Sequence, residues 1–173
     1  DLYHKMTEVY SWDALKRTDY FVDYQNTYTF CGVLPQRLLF LNVAKEMEKA
    51  GWNDRAVEML DKCQECVPEA DYPLDMTYLG FSNETVVIGI IEEYLRLGQT
   101  EKALSLAERF KEEIFVSLEF FAGFYDFASS DFDKCYYFVS YLKDVLSYYG
   151  QDALAKDIES RRDALVKAYS GEA

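Results

Sequence analysis

The seven residues Ala50-Gly51-Trp52-Asn53-Asp54-Arg55-Ala56 decide how this chain is read, because their pattern returns twice. It recurs at Leu97-Gly98-Gln99-Thr100-Glu101-Lys102-Ala103 and at Tyr149-Gly150-Gln151-Asp152-Ala153-Leu154-Ala155. Each time a glycine follows an apolar-periodic stretch and stands five residues before an alanine. Glycine suits the left-handed position that ends a helix, and Asn53 or Asp54 in the first turn and Thr100 in the second are the expected caps of the helix that follows. The alanine lets the two helices approach closely while larger apolar residues fill the gaps beside it. Three helical hairpins are therefore expected, over about residues 36–66, 83–115 and 131–169. The last helix, 152–169, is polar enough through Lys156, Glu159, Arg161, Arg162 and Lys167 to close the stack.

The rest of each hairpin was compared with the tetratricopeptide pattern, which pairs two helices in a repeat of about 34 residues. The first hairpin fits, with Phe40-x2-Val43-Ala44-x2-Met47, then Ala56-x3-Leu60, then Pro68. The second fits in part, with Val87-x2-Ile90-Ile91-x2-Tyr94 and Ala103-x3-Ala107. The third keeps only the helix-turn-helix outline. The three glycines stand 47 and 52 residues apart, so the units carry insertions. The expected fold is all-α: a degenerate tetratricopeptide-like stack of about three hairpins (36–169), an aromatic-rich N-terminal helix and arm packed on it (1–35), and a frayed tail (170–173). In the arm, an extended stretch is expected around residues 20–30, which hold Tyr20, Phe21, Tyr24, Tyr28 and Phe30. The segment 68–82, with Pro68, Pro73 and Gly80, reads as an ordered connection.

The chain has 173 residues and a net charge of −13, half of its residues are apolar, and 17% are aromatic. A domain of this length can bury about 70% of the surface its unfolded chain exposes, so it needs no metal or disulfide staple. The negative charge argues against nucleic acid and against an anionic membrane surface as partners. No apolar run approaches the ~20 residues that span a bilayer. The chain opens at Asp1 without an initiator Met, basic leader or apolar signal core, and is read as an excised piece of a longer protein.

Chemistry-bearing groups are sparse. Cys63-x2-Cys66 falls at the end of an expected helix, where the helix dipole opposes a thiolate, and neither Cys31, Cys135 nor the single histidine, His4, supplies a second ligand pair. Core packing is the favoured reading, and no metal site and no cofactor are expected. One histidine leaves little material for nucleophilic triads. The adjacent pairs Glu92-Glu93 and Glu112-Glu113 point about 100° apart on a helix and read as a solvated charged face. No catalytic residue is assigned. The aromatic series Phe120, Phe121, Phe124, Phe127 and Phe138, Tyr141, Tyr149 recurs at helical spacing, which favours core, with a minority of tyrosines as ligand contacts.

In a stack of this kind the first helix of every hairpin lines one face. That face maps to Leu38, Leu41, Lys45, Glu48 and Lys49, then Thr85, Ile88, Glu92, Leu95 and Arg96, then Tyr137, Ser140, Asp144, Ser147 and Tyr148. Lys45, Glu48, Lys49, Glu92, Arg96, Asp144 and Tyr148 are its candidate partner-binding residues. A clamp for a peptide's C-terminal carboxylate is absent, since only Asn42 fits and Gly89 and Tyr141 stand at the other positions.

Tyr3-x2-Met6, Trp12, Phe21-Val22-Asp23, Arg37-x5-Val43-Ala44, Ala56-Val57-x2-Leu60-Asp61-Lys62-Cys63, Val67-Pro68 and Tyr149-Gly150-Gln151-x2-Leu154-Ala155-x2-Ile158-Glu159 carry a more specific likeness. Together they resemble the C-terminal soluble region of a Bacteroidetes membrane-protein family, first catalogued by an unknown-function domain and now grouped with protein O-mannosyltransferase-like glycosyltransferases. The chain departs from that pattern at Asp13-Ala14, where the family tends to have glycines. The resemblance implies a multi-spanning enzyme whose catalytic carboxylates lie in an N-terminal membrane half, outside this sequence. It also implies a domain hanging on the periplasmic side of the inner membrane. The expected role is a non-catalytic interaction or scaffold domain for a protein or peptide partner, which could be the membrane half itself. The alternatives are a carbohydrate-binding module, a structural dimerisation cap, and a cytoplasmic location.

Overall fold

Successive apolar stripes at a period of 3.6 residues, each stopped by a glycine, build a chain of helices. The computed structural model describes residues 2–12, 16, 32–76 and 83–169. The expected arm around 20–30, Cys31, the end of the 68–82 connection and the tail 170–173 lie outside the described residues. In order, the helices are α1 (Leu2–His4), running into a π-turn (Lys5–Val9), α2 (Val33–Lys49), α3 (Asn53–Cys66), α4 (Asn83–Arg96), α5 (Thr100–Gly123), α6 (Tyr125–Tyr148) and α7 (Asp152–Tyr169). Among the described residues there is no strand, and the fold is all-α. The first hairpin starts three residues before the expected Gln36, because Pro35 is tolerated in a first helical turn.

The three repeated turns are one structure used three times. Gly51, Gly98 and Gly150 have φ of 77°, 73° and 72°. After each glycine the next residue's N–H reaches five residues back: Trp52 to Met47 at 2.9 Å, Gln99 to Tyr94 at 2.8 Å and Gln151 to Leu146 at 2.8 Å. Each glycine N–H bonds three residues back, to Glu48, Leu95 and Ser147. That pair of bonds satisfies carbonyls that the helix end would leave open, and only glycine adopts the required φ without strain. The following alanines, Ala56, Ala103 and Ala155, are all buried. The cap assignments differ from expectation: Asn53 and Thr100 are already helical, Trp52 and Gln99 hold the cap positions, and neither makes a side-chain cap bond. The left-handed turn itself fixes the entry of the second helix, so a capping side chain is dispensable.

The hairpins α2–α3, α4–α5 and α6–α7 stack so that α2 packs on α4 and α4 on α6, while α7 packs on α5. A continuous core runs through them, with Phe40, Leu60, Ile88, Tyr94, Phe110, Phe115 and Leu142 fully or almost fully buried. Gly89 makes the α2–α4 approach possible, since a β-carbon there would stand 2.9 Å from Leu41 Cδ2. At the N-terminus, Met6, Tyr3 and Trp12 join the same core, Trp12 lying 4.8 Å from the Phe40 ring. The closing helix α7 is clasped to α5 by ions. Lys111 pairs with Glu108, Glu112 and Asp157, and Arg161 pairs with Glu112 and Glu119 while lying 4.3 Å over the Phe115 ring.

Two features depart from the expected hairpin boundaries. First, α5 and α6 run 24 residues each, meeting at a sharp corner at Phe124, with non-helical dihedrals again at Ala128. Second, the 68–76 connection is fastened by buried polar groups as well as by a turn at Pro68, whose carbonyl accepts from the Asp71 and Tyr72 N–H groups at 3.2 and 3.0 Å. Arg37 donates to the Asn83 side chain at 3.0 Å and to the Tyr72 carbonyl at 3.2 Å, and Asn83 donates to the Leu74 carbonyl at 2.7 Å. Glu113 accepts from the Leu74 and Asp75 N–H groups at 2.6 and 3.0 Å, Glu84 from Met76 N–H at 2.6 Å, and the Ser117 hydroxyl bonds Asp75. Buried backbone donors and acceptors must be met, and these side chains meet them.

Candidate functional site

The face lined by the first helices is sorted by burial into core and rim. Leu41, Ile88 and Leu95, expected to line it, are buried between the helices and belong to the core. What the face presents is polar. At the end of the face next to the turns, Arg96, the last residue of α4, donates through Nη2 to both oxygens of Glu48, near the end of α2, at 2.9 and 2.7 Å. Arg96 Nη1 stands 3.8 Å from Glu93. On the α6 side, the Tyr149 hydroxyl donates to Glu92 at 3.3 Å. The helices that carry the hairpins are thus joined across this face by charge and hydrogen bond.

Of the seven candidate residues, the structure brings Glu48, Glu92 and Arg96 together, with Lys45 acting on the same centre through its charge on Glu93. It does not bring the other three in. Lys49 turns along its own helix to pair with Glu46 at 2.6 Å, Asp144 pairs with its neighbour Lys143, and Tyr148 projects outward at 82% exposure. Tyr148 touches the centre only through its ring, set edge-on to Tyr149 at 5.0 Å.

Two members of the centre were not anticipated. Tyr149, expected in the core, packs against it and also lends its hydroxyl to Glu92. Glu93 was read with Glu92 as solvated, yet Glu93 is 0% exposed and neither of its carboxylate oxygens accepts a hydrogen bond. Burial, reinforced by the Glu48 charge, pushes its carboxyl above the ordinary range, while Arg96 and Lys45 pull it back. The spacing held a signal for this: Glu93 precedes Arg96 by three residues and so shares its helix face. Glu113 departs from the solvated reading in the same way, since it lies half-buried against the 68–76 connection. Glu92 is also half-buried, under the Tyr149 hydroxyl, and of the four only Glu112 is exposed.

The cysteines sit where packing would put them. Cys63, Cys66 and Cys135 are buried, and burial pushes the Cys63 thiol up to about 12. A thiol held in that state is a poor nucleophile at neutral pH. Among the described residues, no three of His, Cys, Asp and Glu gather as a metal site, and no helix is long and apolar enough to cross a membrane.

The aromatic series splits. Phe138 is buried and Phe121, Tyr141 and Tyr149 are half-buried, but Phe120, Phe124 and Phe127 are exposed, which corrects the reading of the whole series as core. The helical period was right, and it divides α5 into two sides: Phe110, Phe115 and Phe121 turn to the core and Phe120 to the outside. In comparisons with protein-family models, curated proteins and solved structures, nothing matches this chain.

Proposed function

We propose that the chain is a helical-repeat interaction module that binds a protein or peptide segment on the face lined by α2, α4 and α6. The observation that carries this reading is the charged centre formed by Glu48, Glu92, Glu93 and Arg96, which places a carboxylate with no hydrogen-bond donor behind a half-exposed arginine. Arg96 and Glu48, 41% and 19% exposed, are the charges a bound segment can meet, while Glu93 lies buried behind them. The tetratricopeptide-like sequence pattern supports the same use of the face. In this reading the module is the periplasmic, non-catalytic portion of a membrane glycosyltransferase-like protein of the family it resembles, and its partner is an acceptor protein or the membrane half itself.

The test is peptide display against the wild-type chain and against a Lys45→Glu/Glu92→Lys variant, with Arg96 kept in place because it balances Glu93. Peptides selected by the wild type are expected to bind the variant at least about tenfold more weakly. Equal binding to both would remove the proposed face.

A second reading rests on the tyrosines of α6. Tyr137 and Tyr141 stack at 6.1 Å, and Tyr137 is exposed, an arrangement that suits a sugar ring. Tyrosine fluorescence titrated with neutral oligosaccharides tests it, and an unchanged signal in wild type and Tyr137→Ser alike would remove it.

A further inference from the structure

The α5–α6 corner carries an apolar ridge that the first-helix face does not use. Val116, Phe120 and Phe124 recur every fourth residue and are 65%, 60% and 55% exposed, and Phe127, just past the corner, is 93% exposed. Three residues at that spacing mark a stripe about 12 Å long on one side of α5. The rings touch one another: Phe120 lies 5.2 Å from Phe124 and 5.4 Å from Phe121, which packs on the core. Isolated exposed apolar residues are ordinary, but a contiguous ridge of large ones marks a contact surface.

We propose that this ridge docks a basic amphipathic helix from a protein partner. Its length and four-residue period match the apolar face of a helix laid along it. Charge selects the rest of the partner. Asp126, between the two most distal rings, and Asp133, further along α6, form no ion pair with any described residue. Glu112 and Glu119 pair with Arg161, at 2.8 and 3.1 Å, and Lys111 pairs with Glu112, Glu108 and Asp157, so this group of four carboxylates and two cations keeps two net negative charges beside the ridge. Lysines or arginines flanking the partner's apolar stripe would meet these carboxylates. A second copy of this chain would instead bring the same carboxylates face to face across a twofold axis. An anionic bilayer is repelled by the −13 charge.

The test uses the full chain and a synthetic, fluorescein-labelled helix of about five turns. One peptide carries a leucine stripe flanked by lysines, and its counterpart carries glutamates in place of the lysines. Anisotropy is expected to show binding of the lysine peptide alone. Affinity should fall about tenfold in Phe120→Ser/Phe124→Ser and about threefold in Asp126→Asn/Asp133→Asn, the latter with a shallower salt dependence. Val9→Ser, on a distant exposed residue, should change nothing. All these positions are exposed, and circular dichroism checks that each variant folds. Equal affinity of wild type and the phenylalanine variant would overturn the proposal by reducing binding to net charge. Co-flotation with phosphatidylcholine vesicles, or a dimer abolished by the phenylalanine variant, would overturn it in favour of a lipid surface or a second copy.

Discussion

Arg96 reaches from α4 to Glu48 on α2, donating through one nitrogen to both carboxylate oxygens, while its other terminal nitrogen faces the buried Glu93 at 3.8 Å. One half-exposed cation therefore balances two carboxylates, of which only Glu48 receives its hydrogen bonds. Removing the cation and removing the buried charge should have opposite signs. Arg96→Ala is expected to destabilise by about 1–2 kcal/mol, because it leaves Glu93 with only the weaker influence of Lys45. Glu93→Gln should be neutral or stabilise by up to about 1 kcal/mol. In the double variant the Arg96→Ala cost should shrink to a few tenths, as about 1 kcal/mol of coupling requires. Urea denaturation of the four proteins measures this cycle.

Replacing Gly51, Gly98 or Gly150 by alanine should destabilise by about 1 kcal/mol each, and by similar amounts, because all three hold φ between 72° and 77° in the same hydrogen-bonded turn. Space is not the obstacle, since nothing lies within 4 Å of an added β-carbon at any of them. Denaturation midpoints at unchanged slope test it, and a clearly larger loss at one turn would show that the turns are not equivalent.

Acid should stabilise the fold before it unfolds it. Burial raises the carboxyls of Glu84, Glu93 and Glu113, Glu84 to about 7. Between that value and the ordinary carboxylate range near 4.5, the folded chain holds protons that the unfolded chain has released. Stability is then highest on the acid side of the window and falls as pH rises through about 7. Glu65 and Glu112 pull the other way, but they are exposed and screened. The urea midpoint should be higher at pH 5.5 than at pH 8. Glu84→Gln, which keeps an acceptor for Met76 N–H, should flatten part of that slope.

Cys63, Cys66 and Cys135 should resist alkylation in the folded protein at pH 8 and react on unfolding, since all three are buried and the Cys63 thiol is pushed up to about 12. Iodoacetamide labelling followed by peptide mapping reads each position. Rapid labelling of Cys63 or Cys66 in native buffer would contradict the packing described.

The hairpins were legible in the sequence because a glycine before an alanine at fixed spacing reports local backbone geometry, and local geometry is what sequence encodes most directly. Gly51, Gly98 and Gly150 stand where that reasoning put them. The polar site was less legible. Glu93 and Glu92 are neighbours with the same chemistry, and only the packing of α4 between α2 and α6 buries one and leaves the other at the rim. The connection 68–76 read as a proline-ordered loop, and a turn does form at Pro68, but the side chains that fasten it, Arg37, Asn83, Glu84 and Glu113, lie on helices outside it, where its own sequence gives no sign of them. The phenylalanines of α5 had the period of a core helix, and that period alone did not tell the buried Phe110 and Phe115 from the exposed Phe120.

The central claim, that the face lined by α2, α4 and α6 is the binding surface, is tested most directly by amide and tyrosine chemical-shift mapping with the tightest peptide selected by display. The account predicts that the shifts concentrate at Glu48, Glu92, Glu93, Arg96 and Tyr149. Shifts confined to the Phe120–Phe127 corner, or spread evenly over the chain, would contradict it.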